Sequence, residues 1–178
     1  MQLLNTIQVI QQLAKYVVQQ SRSNLSKKDK NVNKSLYDSI DYQLTDKRKS
    51  VDVAFKMLDY GKFVDRGVRG RNAYYADQDT SSSPYKYKDR MPPIEELSVW
   101  AKQRRIRLRN DKGQFARGNY KTIGFLIARS IYDKGIKASM FFTKPYRASL
   151  KKYEKPMLEA IGMDVYESLI KHQNKTKI

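Results

Sequence analysis

Four aspartates, Asp38, Asp41, Asp59 and Asp65, lie near enough in sequence to collect a divalent cation, which would be nuclease-type metal chemistry. They are spread over both faces of two alternating segments, and no glutamate or lysine completes a recognisable nuclease constellation. That pattern argues against an enzyme. The chain has no cysteine and one histidine, His172. Disulfides, thiolate chemistry and cysteine-rich zinc sites are excluded, and a histidine metal cluster or Ser–His catalysis has nothing to be built from. His172 reads as a solvated residue near the end of the last helix. No catalytic residue, cofactor or metal site is expected.

Cations and tyrosines are the residues in supply. The chain has 36 Lys and Arg against 18 Asp and Glu, a formal charge of +18, and 13 tyrosines. Such a field predicts polyanionic or acidic company, whether DNA, RNA or an acidic protein surface, and says nothing about fold. The densest patch is Lys102, Arg104, Arg105, Arg107, Arg109 and Lys112, six bases within eleven positions. It either faces phosphates or meets an acidic partner. A smaller cluster, Lys47, Arg48 and Lys49, is either a solvated turn or a contact for something anionic. Between them Tyr74, Tyr75, Tyr85 and Tyr87 interleave with Arg69, Arg71, Lys86, Lys88 and Arg90. That mixture suits base stacking and equally a protein interface; the interface is the preferred reading.

These residues hang on a readable series of elements. In Val51–Gly70, Val51, Val53, Phe55 and Met57 alternate with Asp52, Ala54 and Lys56, the mark of a strand with one buried face. Tyr60, Phe63 and Val64 then recur at helical spacing, and Gly67 and Gly70 supply a glycine exit. Leu36, Ile40, Tyr42 and Leu44 alternate upstream, with Asp38 the exception. The polar turn from Thr45 to Ser50 makes the two runs an antiparallel hairpin. Residues 2–20 carry Leu3, Ile7, Ile10, Ala14 and Val17 on one helical stripe, widened by Leu4, Leu13 and Val18. This helix lies across its own sheet or packs on a neighbouring subunit. It lacks a basic n-region and is broken by glutamines, so it reads as neither signal peptide nor membrane span. Residues 21–34 read as a mobile loop, and 69–91 as a long loop of the kind that is functional or disordered.

Pro92 and Pro93 open a helix with Glu95 and Glu96 in its first turn and bases at its end. Ile94, Leu97 and Ala101 form its stripe, with Trp100 as a core anchor. Asn119 caps a second helix on Tyr120, Ile123, Ile127 and Ile131, where Gly124 and Ala128 allow close approach, and Gly135 ends it. Residues 136–142 read as extended, delivering Met140, Phe141 and Phe142 to a core or an interface. Pro145 opens a last helix on Leu150, Tyr153, Met157, Ile161, Val165 and Leu169, kinked or split at Pro156 and Gly162, with a frayed tail. The fold class is α+β: an N-terminal helix, an antiparallel hairpin or small sheet packed against several helices, and a long C-terminal helix. Residues 1–178 read as one domain, with a basic Tyr/Arg-rich loop and helical insertion at about 69–118.

This order of elements resembles the tail-completion, or head–tail joining, proteins of tailed bacteriophages. The resemblance rests on three motifs. One is a serine-containing strand at Ser35–Ile40. The second is the Tyr, aromatic, Val/Ile, acidic, x, Gly pattern at Tyr60, Phe63, Val64, Asp65 and Gly67. The third is a "GI…FF" element at Gly135-Ile136 and Phe141-Phe142. The very basic 69–118 region departs from the pattern. The resemblance implies a non-enzymatic virion protein made in the host cytoplasm. It would form a six- or twelve-fold ring in the neck, contacting itself, portal or adaptor proteins and tail proteins, with genomic DNA passing non-specifically through the lumen and no membrane involved. Tyr60, Phe63, Asp65, Arg66, Tyr74, Tyr75, Tyr85, Tyr87, Phe141 and Phe142 are then the expected interface residues. Lys47, Arg48, Lys49 and the 102–112 bases would contact DNA or an acidic partner. The alternative is a sequence-nonspecific nucleic-acid-binding protein using the same patch and the Tyr-rich loop.

Overall fold

The computed structural model describes residues 3–27, 34–47, 50–72 and 83–175, and its architecture is α+β. The elements are α1 (Leu4–Lys27), α2 (Ser35–Ser39), β1 (Asp41–Lys47), β2 (Ser50–Lys56), α3 (Gly61–Arg66), β3 (Val68–Arg69), α4 (Ile94–Gln103), α5 (Tyr120–Lys134), β4 (Gly135–Ile136) and α6 (Thr143–Lys175). Where the sequence suggests one domain, the chain groups into two compact units. One comprises residues 1–58 and 141–178, the other residues 59–140.

In the first unit α1 packs on the hairpin β1–β2 and on α6. Tyr42 opposes Phe55 and Leu44 opposes Val53, and this face of the hairpin is the less exposed one, as its alternation predicts. The pairing extends further than the sequence suggests. Lys47 pairs with Ser50 and also bridges to Asp52, so the ladder takes in Thr45, Asp46, Lys47 and Ser50 of the expected six-residue turn, and Arg48 and Lys49 lie outside the described residues. The upstream strand is shorter than expected, because Ser35–Ser39 forms a helical turn instead. Leu36 and Ile40 are four apart, a spacing that serves one helix face as well as one strand face, and both are buried. This also accounts for Asp38 breaking the alternation.

α1 runs seven residues past its expected end. Its buried stripe continues through Val17, Val18, Ser21 and Leu25. Arg22 donates from Nε to the Tyr37 carbonyl (3.1 Å) and from Nη2 to that of Ile40 (3.0 Å), and stacks on the Tyr37 ring. A segment making such contacts is ordered helix, not loop. α6 runs antiparallel to it. Asn24 donates to the Phe141 carbonyl, Tyr16 meets Tyr153 edge-on, and Asp164 reaches the first turn of α1. Pro156 sits inside α6 without splitting it.

The contact face of α6 also differs from expectation. Ser149, Ala160 and Asp164 are buried with Tyr153 and Met157 beside them, while Leu150, Ile161, Val165 and Leu169 are exposed. Asp164 settles the rotation. Its carboxylate accepts from the Asn5 and Thr6 backbone N–H groups (3.0 and 2.9 Å), the Thr6 hydroxyl (2.6 Å) and the Asn5 amide (3.0 Å). It caps the start of α1 from another helix, satisfying donors that no intrahelical carbonyl can reach.

The second unit is built on the helical pair α4–α5. Asn119 caps α5, its side chain accepting from the Thr122 N–H at 2.8 Å. A Cβ on Gly124 would collide with Ile94 and Ser98 of α4, so the Gly124/Ala128 spacing does mark close helix approach. Ala101 is buried as expected, but Trp100 is 37% exposed and carries Arg104 over its ring.

Candidate functional site

Two short motifs, far apart in sequence, build the centre of the second unit. β3 follows the Tyr60–Gly67 motif and pairs antiparallel with β4, Val68 opposite Ile136 and Arg69 opposite Gly135. The approach is tight enough that a Cβ on Gly135, whose φ is 89°, would run into the Val68 carbonyl and the Gly70 amide. Downstream, the Ser139 N–H and hydroxyl both donate to the Val64 carbonyl (3.1 and 2.6 Å), and the Met140 N–H donates to that of Asp65 (2.9 Å). They thereby satisfy the orphan carbonyls ending α3.

The far side of β3 takes part of the expected long loop. The Arg69 N–H donates to the Tyr85 carbonyl and the Tyr87 N–H to that of Arg69, both at 2.9 Å. Ser83, Tyr85 and Tyr87 turn inward while Pro84, Lys86 and Lys88 are exposed, a period of two. Phe63 and Tyr85 meet edge-to-face at 4.7 Å, and the Tyr132 hydroxyl donates to the Lys88 carbonyl at 2.6 Å. These elements enclose an open cleft of about 850 Å³. Tyr60, Phe63, Tyr85, Tyr87, Val68 and Ile136 give it an apolar, aromatic wall, with Arg69, Lys86 and Lys88 the charged groups of its lining. Arg69 Nε is buried in the wall with no hydrogen-bond partner among the described residues. Partial burial raises the Tyr60 and Tyr87 hydroxyls above their ordinary 10.0, so both remain neutral donors at physiological pH.

The basic patch after α4 forms a hook. The Ala116 N–H donates to the Leu108 carbonyl (3.0 Å) and the Asn110 N–H to that of Gln114 (2.9 Å). At the tip, Asn110 Oδ1 accepts from the Lys112 and Gln114 amides, and Gly113 adopts a φ of 78°. Phe115 is 63% exposed, with the Arg107 and Arg109 guanidiniums 5.4 and 4.9 Å from its ring centre. Arg109 also donates to the Gly113 carbonyl. An exposed ring thus holds two cations in place. Arg105, Lys112 and Arg117 are exposed along the same loop.

Of the expected site residues, the structure gathers Tyr60, Phe63, Tyr85 and Tyr87 at the cleft, and Arg105, Arg107, Arg109 and Lys112 on the hook. Lys102 lies in the last turn of α4 and Arg104 lies half-buried against Trp100. Arg66 is exposed at the end of α3, whereas Asp65 is 4% exposed. Phe141 is wholly buried and so presents no surface to a partner; Phe142 joins Phe55 and Tyr146 in an aromatic cluster of the first unit. Lys47 is exposed at the end of β1. Arg48, Lys49, Tyr74 and Tyr75 lie outside the described residues. Among the described residues no group of three His, Cys, Asp or Glu is placed to hold a metal ion, and no helix is long and apolar enough to cross a membrane. Reasoning from sequence named Arg69, Lys86 and Lys88 in the tyrosine-rich mixture without placing them in a cleft, and it missed Phe115 on the hook and Asp164 under α1. The alternation of Tyr85, Lys86, Tyr87 and Lys88 was the available signal for the cleft. Comparison with protein-family models, curated proteins and solved structures returns no match.

Proposed function

We propose that the protein is a non-enzymatic structural component of a tailed-bacteriophage virion. In this reading it assembles into a ring in the neck, against portal or adaptor and tail proteins, with genomic DNA passing through. The carrying observation is that parts of two of the three motifs behind the resemblance meet. The Tyr60–Val68 motif and the Gly135-Ile136 element form one small sheet around glycines that admit no side chain. Two supporting features fit a ring around DNA. α6 leaves Leu158, Tyr166 and Leu169 more than 60% exposed, surface that an assembly would cover. The 104–117 hook presents cations and one aromatic ring, enough for sequence-independent contact with phosphates.

A second reading, a sequence-nonspecific nucleic-acid-binding protein, draws on the same hook. The two separate by mass. Native mass spectrometry at low and high salt, with and without duplex DNA, should find a discrete hexamer or dodecamer whose DNA affinity is modest and salt-sensitive. A monomer or dimer loading tightly onto duplex at physiological salt would make the nucleic-acid binder the better account.

A further inference from the structure

The second half of α6 is chemically unlike the rest of the chain. Pro156 to Ile170 contains Glu159, Asp164 and Glu167 and neither Lys nor Arg, in a protein of formal charge +18. One side of this half meets α1 through Ala160 and Asp164. Around the remainder, Leu158, Met163, Tyr166 and Leu169 are 59 to 66% exposed, with Ile161 and Val165 filling the ridge between Leu158 and Leu169. Exposed apolar surface of this kind marks an interaction site.

The cleft of the second unit is its counterpart. It is concave where α6 is convex, and among the described residues its charged lining is Arg69, Lys86 and Lys88. Arg69 Nε is buried there with no hydrogen-bond acceptor among the described residues. A volume of about 850 Å³ accepts several side chains. A whole helix, roughly 10–12 Å across, does not fit. The cleft therefore suits a ridge of side chains.

We infer that the contact between successive copies joins these two surfaces: the apolar, acidic half of α6 from one copy seats on the aromatic, basic cleft of the next. This inference rests on the ring reading above and names its interface. Pairing α6 with α6 would set acid against acid, and cleft with cleft base against base, so charge selects the mixed contact. The Glu159 carboxylate then gives the cleft cations a charge-assisted partner, whereas Glu167 accepts from the Asn5 amide of α1 at 3.3 Å. Because the two surfaces differ, the interface is heterologous, the kind that closes into a ring or runs on as a filament.

The test is sedimentation velocity on the full chain at about physiological ionic strength, where exposed charge still acts over roughly 8 Å. Lys86→Glu with Lys88→Glu reverses two exposed cleft charges. Glu159→Lys reverses the acid on the exposed side of the helix and leaves the Asn5–Glu167 contact with α1 in place. Each variant alone should lose assembly, with affinity down by about a hundredfold or more. An equimolar mixture should recover it, since the reversed cleft fits the reversed helix while the unaltered surfaces still fit each other. Leu169→Ser, an exposed apolar position, should weaken assembly without touching charge. If the cleft variant assembles like the parent, or the mixture fails to recover, this interface is wrong and the ring reading stands. A parent chain that is monomeric at every concentration and salt overturns both.

Discussion

Asp164→Ala should unfold the first unit more readily than any surface substitution on α6. The Asp164 carboxylate is 1% exposed and accepts four hydrogen bonds, all from Asn5 and Thr6 in the first turn of α1, within 2.6 to 3.0 Å. Losing a helix cap costs about 0.5–2 kcal/mol. The buried Thr6 hydroxyl and amide would also lose their acceptor, about 1–3 kcal/mol more. The two costs overlap, so the expected loss is about 2–4 kcal/mol. Asp164→Asn keeps the shape but offers one acceptor oxygen and turns an amide N–H₂ toward donors, so it should cost nearly as much. Burial alone would raise the Asp164 carboxyl, but the bonds from Thr6 and Asn5 outweigh it and hold the group below its ordinary 3.8. A carboxyl depressed by folding stabilises fully above its unfolded value, and that stability is lost as pH falls through the lower folded value. Urea unfolding followed by far-UV circular dichroism should therefore show a constant gap between parent and Asn variant down to about pH 5. The gap should close progressively below about pH 4. An alanine variant within about 0.5 kcal/mol of the parent, the range of ordinary surface changes, would refute the cap. So would a gap that persists unchanged at pH 2.

Two further substitutions probe the second unit. Gly135→Ala places a Cβ against the Val68 carbonyl at a φ of 89° and should cost roughly 1–3 kcal/mol by thermal or urea unfolding; a neutral outcome would mean that β3 and β4 do not approach so closely. On the hook, Arg107→Ala with Arg109→Ala should lower duplex affinity evenly across sequences and flatten the salt slope by about two, while an unchanged slope would place neither arginine on a phosphate. Phe115→Ala keeps every charge, so the slope should hold while affinity drops by the roughly 0.5–1 kcal/mol that each ring–cation contact contributes.

Local chemistry was legible wherever a signal had one meaning. The Asn119 cap, the Gly135 stop, the Pro92-Pro93 entry and the alternation of β2 all lie where the residues say they should. Legibility failed where one spacing serves two structures. Leu36 and Ile40 satisfy strand and helix equally, and only the pull of their burial settled the turn of helix. It failed again where length hid a short element. Tyr85 to Lys88 alternates for four residues, too few to stand out against a polar loop, yet enough to line β3 and wall the cleft.

The rotation of α6 is the deeper case. Judged by hydrophobicity, the stripe from Leu150 to Leu169 should face inward. The chain instead buries Ser149, Ala160 and an aspartate against α1 and leaves the leucines out. Small side chains let two long helices come close, and Asp164 finds the unpaired amides of α1 only if the helix is turned this way. No periodicity within α6 can reveal that, because the reason lies some 158 positions away, at Thr6. A helix turned so costs the isolated chain its best apolar packing. That cost is tolerable if another surface covers the exposed ridge after folding, and the acidic flanks of a basic chain indicate which surface: one rich in the cations that α6 from Pro156 to Ile170 lacks.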